Sequence, residues 1–409
     1  MPRILFLIGL LLLIDLYAYQ AFRLLWQNVG ASWRLTGQIV YWLIPVGTFL
    51  YLWLGLTGKT AEWSRPVTTY IPAAIFILYI SKFLVVPALL IDDLRRVVQA
   101  ISSYFSDDPV SQISRSRFLA QAGILIGSLP FISLTYGMLR NPYRYQLFRK
   151  KIRIPNLPES LEGLRIIQIS DIHSGSFTFR EPVQRAIDLI NEQDADLVLF
   201  TGDLVNNRAE EMEPFQEMFS KIRSRYGVFS VLGNHDYGDY HDWPSEEAKR
   251  ENFEQLVNTH KEMGWRLLRN EHQKIMINGE EIAIIGVENY SAHPRFPKHG
   301  DLSKAYQGAE QSTLKLLLSH DPSHWQYEVT RVFQDIALTL SGHTHGMQFG
   351  IEIPGFLKWS PIKYVYKQWA GLYQEGQQQL YVNRGLGFLG YPGRVGILPE
   401  ITYMELSKG

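Results

Sequence analysis

The first third of the chain alternates between long apolar runs and short polar connections. Four runs are almost free of charge for about 20 residues each, the length that a helix needs to cross a bilayer. They cover residues 4–22, 37–56, 69–91 and 118–139. Tyr and Trp concentrate near the ends of these runs, as they do at membrane interfaces. The pattern predicts four transmembrane helices in a membrane domain over residues 1–139.

Two charged side chains interrupt the apolar runs, Asp15 in the first run and Lys82 in the third. Charged groups within hydrocarbon are costly, so they are usually paired or functional. We expect a structural ion pair between these two helices. The alternative is a path for protons or ions.

The rest of the chain has shorter apolar runs separated by helical or polar stretches. Five runs have the length and composition of buried strands. They end at residues 170, 201, 232, 319 and 341. Helical spacing covers residues 181–191, 209–222 and 246–263. This alternation of strands and helices predicts a layered α/β domain over residues 163–409, reached through a basic linker over residues 140–162.

The spacing becomes strand-like from residue 266 onward, which supplies a second sheet. Asn278-Gly279 lies between two apolar runs and is typical of a tight β-hairpin turn. The whole domain is therefore predicted to be a two-sheet β-sandwich flanked by helices.

Polar side chains of the types that can bind metal ions follow each of the five predicted strands. They are Asp171 and His173, then Asp203, then Asn234, His235 and Asp236, then His320 and Asp321, then His343 and His345. Ligands collect beyond the carboxyl ends of strands in an α/β sheet, so we expect these side chains to converge. Carboxylate and imidazole groups together suit Mn, Fe and Zn. Two such ions about 3.5–4 Å apart are the usual device for hydrolysing phosphate esters.

The ordered motifs Asp-x-His, Gly-Asp, Gly-Asn-His-Asp, His and Gly-His-Thr-His resemble the calcineurin-like metallophosphoesterase superfamily, and within it the bacterial membrane-associated branch. The resemblance extends from the region of Leu157 to the C-terminus, with Met347 where the family more often has Gly. It implies the four-layer metallophosphoesterase fold and two divalent metal ions. Asp171, His173 and His345 would hold one ion, Asn234, His320 and His343 would hold the other, and Asp203 would bridge them.

The resemblance also implies roles in the reaction. A hydroxide shared by the two cations would attack phosphorus. His235 would protonate the leaving group or stabilise charge on the phosphoryl oxygens. Asp236 would accept the other ring proton of His235 and so fix its tautomer. We therefore expect a phosphohydrolase that cleaves a phosphoester, a phosphodiester or a pyrophosphate.

Composition restricts the partners and leaves two alternatives open. The formal net charge is +0, which argues against a general nucleic-acid binder, and the chain has no Cys, which excludes disulfides and thiolate metal sites. One alternative is a membrane binding or sensing protein that keeps the metal site without turnover. The other is a transporter regulated by its soluble part.

Positive charges in the short loops predict the orientation in the membrane. The first and third loops carry Arg23, Arg34, Arg95, Arg96, Arg115 and Arg117, whereas the second carries only Lys59 and Arg65. The positive-inside rule then places the C-terminal domain outside the cytoplasm. A degenerate twin-arginine sequence at residues 114–119 points the same way. We expect a multi-pass protein of the inner (cell) membrane with an extracytoplasmic catalytic domain.

Six basic residues after the last run argue for the opposite orientation: Arg140, Arg144, Arg149, Lys150, Lys151 and Arg153. They are either solvated juxtamembrane charges or a site for anionic lipid headgroups. Either interpretation keeps the domain near lipid. This motivates the hypothesis that the substrate is an amphiphile with a phosphate or pyrophosphate headgroup.

Three later segments are candidates for substrate selection, over residues 237–243, 288–308 and 356–369. The third is aromatic and basic. It either enters the membrane interface or covers an acyl chain, or it is an insertion that packs on the domain. Arg384 and Arg394 are candidate phosphate contacts.

Overall fold

The computed structural model describes residues 2–60, 63–105, 114–353 and 355–409. It divides into two compact units, Met1–Tyr136 and Gly137–Gly409. The helices of the N-terminal part are α1 (Pro2–Leu25), α2 (Ala31–Leu56), α3 (Arg65–Tyr104) and α4 (Arg117–Arg140). All four are long and apolar enough to cross a membrane. The four predicted membrane helices are therefore confirmed.

The two charges predicted to pair within the membrane helices do so. Lys82 Nζ lies 2.5 Å from Asp15 Oδ1, and both side chains are buried. The Tyr79 hydroxyl donates a hydrogen bond to Asp15 Oδ2 at 2.7 Å. These contacts satisfy both carboxylate oxygens, as a stable buried ion pair requires.

The second unit contains two six-stranded sheets and one two-stranded sheet. The strands are β1 (Gln146–Ile154), β2 (Arg165–Ile169), β3 (Leu197–Phe200), β4 (Val228–Ser230), β5 (Arg266–Leu267), β6 (Glu271–Ile277), β7 (Glu280–Gly286), β8 (Leu314–Leu318), β9 (Leu338–Ser341), β10 (Ile351–Ile353), β11 (Leu357–Trp359), β12 (Gly371–Glu375), β13 (Gln378–Val382) and β14 (Glu400–Lys408). The first large sheet has the order β1-β14-β2-β3-β4-β5, and the second has the order β12-β13-β9-β8-β7-β6. Strands β10 and β11 form the small sheet.

Helices cover the outer faces of the large sheets. They are α5 (Arg180–Asn191), α6 (Gln216–Phe219), α7 (Glu246–Glu262), α8 (Leu302–Tyr306) and α9 (Thr330–Val332). Strand β2 packs on both of its faces: Ile166 faces the core between the sheets, and Ile167 faces the core under α5. Burial of each such side chain contributes about 1.5–3 kcal/mol. The predicted two-sheet sandwich with helices outside is confirmed.

The predicted hairpin is also confirmed. Strands β6 and β7 pair antiparallel, with Ile277 opposite Glu280. The two turn residues between them have positive φ angles, 50° at Asn278 and 88° at Gly279. A two-residue turn with both φ angles positive has the twist that joins adjacent strands, and Asn-Gly tolerates it best.

The single helix predicted over residues 209–222 is wrong. The structure has a 3-10 turn at Ala209–Met212 and the short helix α6, with Pro214 between them. Proline has no backbone N–H to continue a helical ladder, so the apolar periodicity here is shared by two short elements.

The separate linker predicted over residues 140–162 is also wrong. Nine of its residues form β1, which pairs in parallel with β14 along its whole length, from Gln146 opposite Glu400 to Ile154 opposite Lys408. Its exposed basic residues lie on an edge strand, where lysines protect a sheet from unwanted pairing. The pairing joins residues about 250 positions apart, which local periodicity cannot reveal.

Candidate metal centre

The loops after the parallel strands have an unusual backbone conformation. Five of the predicted ligands have positive φ angles although none is glycine: Asp171 (51°), His173 (46°), Asp203 (60°), His343 (71°) and His345 (50°). This left-handed conformation is unfavourable for residues with a Cβ and is retained mainly where function requires it.

Asp171, His173 and His345 form the first group. His173 Nε2 lies 3.1 Å from His345 Nε2, which in turn lies 3.2 Å from Asp171 Oδ1. All three side chains are buried. Two imidazole nitrogens and a carboxylate oxygen this close together suit a shared cation, because their lone pairs meet at one point.

Asp203 connects the first group to His320. Its Oδ2 atom lies 3.4 Å from His173 Nε2 and 3.2 Å from His320 Nε2. His320 Nδ1 donates to the carbonyl of Thr201 at 2.7 Å. The Nε2 atom of His320 is buried and has no hydrogen-bond partner among the described residues. An orphaned nitrogen aimed at a carboxylate is the arrangement expected of a metal ligand.

Asn234 and His343 complete the cluster. Asn234 Oδ1 lies 2.8 Å from His343 Nδ1, and Asn234 Nδ2 donates to the Tyr240 hydroxyl at 3.0 Å. Tyr240 thereby fixes which end of the amide faces the cluster. The backbone N–H of His343 donates to Asp171 at 3.0 Å, which ties this pair to the first group. The structure thus brings all seven predicted ligands together.

Electrostatic coupling within the cluster is strong. Burial alone would lower the pKa of His320, but the Asp203 carboxylate outweighs it and raises that pKa to about 10. Burial would raise the pKa of Asp171, yet the neighbouring His345 and His320 hold it at about 2. For His173, burial prevails and lowers the pKa to about 3. The carboxylates and the His320 ring therefore stabilise each other's charged forms.

Metal binding should release a proton from His320. A divalent ion needs the free Nε2 lone pair, and His320 carries a proton below its raised pKa of about 10. We expect the apparent Kd for Mn²⁺ to rise about tenfold for each pH unit lowered between about pH 8 and pH 6. Calorimetry in two buffers of different ionisation enthalpy measures the released proton. A buffer-independent heat would contradict this protonation state.

His235 lies beside the cluster, and its ring is half-buried. Its ring centroid is 5.0 Å from that of His173 and 4.6 Å from that of Tyr240. Its Nδ1 atom lies 2.7 Å from the carbonyl oxygen of Asn206, which therefore accepts the ring proton. This bond places a ring proton on Nδ1 and makes Nε2 the other titratable nitrogen of the ring.

The role expected for Asp236 is wrong. Its carboxylate does not orient the His235 ring; it accepts four backbone N–H groups, from Gly233 at 2.8 Å, Asp203 at 2.9 Å, Leu204 at 2.8 Å and Val205 at 3.3 Å. Asp236 is buried and joins the loop after β4 to the loop after β3. It therefore positions Asp203 and Asn234 rather than the His235 ring.

The two arginines predicted as phosphate contacts are both bonded to other groups of the protein. Arg384 pairs with Glu352 at 2.6 Å and with Glu400 at 2.5 Å. Arg394 donates to the carbonyls of Gly385 at 3.1 Å and Gly387 at 2.5 Å. Both guanidinium groups are buried, so they support loops rather than face a substrate.

Two residues, Asp321 and Tyr366, have supporting roles that the sequence did not predict. His343 Nε2 lies 2.9 Å from the Tyr366 hydroxyl, which donates to Asp321 Oδ2 at 3.0 Å. This chain of hydrogen bonds leaves His343 Nδ1 facing Asn234. Asp321 could have been suspected because it follows His320 directly, whereas the aromatic segment around Tyr366 gives no spacing signal.

Removing the Tyr366 hydroxyl should weaken the metal site. We expect Tyr366→Phe to reduce Mn²⁺ affinity about 10–100-fold, as loss of a partner of a metal ligand usually does. Titration calorimetry measures the change. Tyr364→Phe is a matched control, because Tyr364 is exposed and lies two residues away. An equal effect of both substitutions would show that Tyr366 has no special role.

Known proteins resemble both parts of the chain. The family described as "Probable Calcineurin-like phosphoesterase, transmembrane domain" matches residues 1–142, and "Calcineurin-like phosphoesterase" matches residues 164–347. The chain is 32% identical over 314 residues to "Transmembrane protein with metallophosphoesterase domain" of Danio rerio, which covers 72% of this chain and 67% of that protein.

Two bacterial relatives match over nearly their whole length. "Uncharacterized metallophosphoesterase YkuE" of Bacillus subtilis (strain 168) is 28% identical over 309 residues, covering 73% of this chain and 99% of the relative. "Phosphodiesterase YaeI" of Escherichia coli (strain K12) is 28% identical over 302 residues, covering 72% and 99%. With its cluster of potential metal ligands, the chain belongs to the calcineurin-like phosphoesterase family of metal-dependent phosphoester hydrolases.

Proposed function

We propose that this protein hydrolyses a phosphodiester or related phosphoester at a dinuclear metal centre. The observation that carries the proposal is the position of Asp203 Oδ2, within 3.4 Å of nitrogens from two different histidines. One carboxylate oxygen between two groups of ligands is what a pair of cations needs, since it reduces their mutual repulsion. Mn, Fe and Zn all suit the ligand set.

The proposed ligands divide into two sets that share Asp203. Asp171, His173 and His345 hold one ion, and Asn234, His320 and His343 hold the other. Bound divalent ions would polarise a phosphoryl oxygen and activate water as the nucleophile. His235 then supplies a proton to the departing oxygen, because Asn206 holds its Nδ1–H and leaves Nε2 available.

The substrate is proposed to be an amphiphile with a phosphate or pyrophosphate headgroup, met outside the cytoplasm. Four membrane helices anchor the enzyme, so a substrate in the same membrane is concentrated near it. Aromatic rings beside the ligands suit the apolar part of such a molecule: the Phe296 ring lies edge-on 4.6 Å from that of His343, and Tyr240 lies over His235.

Hydrolysis of bis(p-nitrophenyl) phosphate by the full chain with Mn²⁺ tests the enzyme proposal. We expect Asn234→Ala to lower the rate about 10–100-fold, because one ligand of the second ion is lost. Asn258→Ala, at an exposed position of α7, is the control and should keep the rate. Equal, near-zero rates for both variants and the parent would favour a binding or sensing protein.

Purified protein incubated with extracted membrane lipids, with released phosphate species identified by mass spectrometry, tests the substrate class. A rate on soluble model esters that exceeds the rate on every lipid-linked ester would contradict the amphiphile proposal.

A separate experiment tests on which side of the membrane the catalytic domain lies. Because the chain has no Cys, Met276→Cys adds a single exposed thiol, and an impermeant maleimide should label it in intact cells.

A further inference from the structure

The residues that follow the Gly-His-Thr-His motif form a segment that exposes its apolar face and turns its polar face toward the protein. We call residues 347–367 the interfacial segment; it contains β10 and β11. Two cross-strand pairs, Ile351 with Trp359 and Ile353 with Leu357, share one face of this small sheet. Glu352 and Lys358 form the pair between them, on the opposite face.

The polar face of the interfacial segment points toward the protein. Glu352 accepts hydrogen bonds from Arg384 at 2.6 and 3.1 Å, and Lys358 donates to the carbonyl of Ala370. The apolar face points away, with Ile351 48% exposed and Ile353 49% exposed. A hairpin in contact with water normally has the opposite arrangement, apolar inside and polar outside.

Exposed apolar side chains are concentrated in this segment. Eight large ones are exposed within residues 347–365, and six are exposed in the rest of residues 141–409 that the structure describes. Phe356, after the end of β10, is 84% exposed. A continuous exposed apolar patch marks a surface that is covered by a partner or a membrane.

The charge around the patch indicates what covers it. The interfacial segment contains three lysines and one acidic residue, Glu352, which pairs with Arg384. Lys363 and Lys367 are exposed in the same segment. Apolar side chains surrounded by lysines are typical of surfaces that enter the interface of an anionic bilayer. The four membrane helices keep such a bilayer permanently within reach of the second unit.

The interfacial segment is also fastened to the metal cluster. The Ser360 hydroxyl donates to the carbonyl of Gly346 at 2.8 Å. Gly346 directly follows His345 and precedes β10. Thr344 donates to the carbonyl of Trp369 at 2.6 Å, and Tyr366 contacts His343. Restraint of this segment therefore acts directly on the loop that carries His343 and His345.

We propose that the interfacial segment docks on an anionic lipid surface, with Phe356, Ile353 and Leu357 in the boundary between headgroups and acyl chains. The occupant of the patch is lipid and not a second protein. Docking orders the loop that carries His343 and His345 at the surface where an amphiphilic molecule would be presented. This inference concerns lipid contact and does not depend on turnover.

The test uses the full chain in nanodiscs of phosphatidylcholine and phosphatidylglycerol, labelled with the fluorophore NBD at a single introduced Cys. The natural chain has no Cys, so Phe356→Cys gives one label at the proposed surface. We expect lipids with a doxyl group near the headgroup to quench this label at least about twofold, since an interfacial face lies roughly 5–10 Å deep. Removing phosphatidylglycerol should reduce the quenching.

Met276→Cys, on the hairpin strand β6, is the matched control, because Met276 is apolar and 60% exposed. Its label should not be quenched. Tyr364→Cys provides a second label in the segment, in case Phe356→Cys perturbs folding. Equal quenching at residues 276 and 356 would overturn the proposal. Blue-shifted emission at 356 and 364 without doxyl quenching would also overturn it, because a protein surface would then cover the patch.

Discussion

Replacing the Asp203 carboxylate by an amide should produce the largest loss of activity. Asp203→Asn is expected to lower Mn²⁺-dependent phosphodiester hydrolysis by on the order of 10³-fold, because loss of the bridging charge removes several kcal/mol of stabilisation from a dinuclear site. The side chain keeps its size, so the hydrogen bond from the His235 backbone N–H to Oδ1, at 2.9 Å, can remain.

The matched control is Asp242→Asn. It makes the same chemical change at an exposed position, six residues after Asp236. It should leave the rate unchanged. Metal content, measured by mass spectrometry of the purified variants, separates the explanations. Asp203→Asn with both ions bound and normal turnover would show that Asp203 does not bridge.

The strand ends were predictable because their signal is local. Each of the five apolar runs ends directly before its polar residues, and parallel strands place those ends at one edge of a sheet. Local pattern therefore sufficed to place Asp171 and Asp203 at neighbouring strand ends of the first sheet. His343 follows β9 of the second sheet, and its convergence with them was expected from the family resemblance.

Other features depend on contacts that local pattern does not contain. The Asp236 carboxylate binds N–H groups of the loop after β3, about 30 positions earlier, so adjacency to His235 suggested the wrong partner. Strand β1 joins the sheet only through β14 at the other end of the chain. Tyr366 reaches His343 across a fold of the interfacial segment that no periodicity predicts.

The substitution Asp236→Ala should destabilise the second unit and abolish the site together. It leaves four backbone N–H groups without their acceptor, and each buried donor left unpaired costs about 1–3 kcal/mol. We expect the midpoint of thermal unfolding, followed by Trp fluorescence, to fall by on the order of 10 °C. Asp242→Ala, at an exposed position, should not change it. Because this carboxylate accepts N–H groups from both loops, those that carry Asp203 and Asn234, its loss should displace ligands of both, and Mn²⁺ should no longer raise the midpoint. A variant with unchanged stability but reduced turnover would instead support direct action of Asp236 on His235.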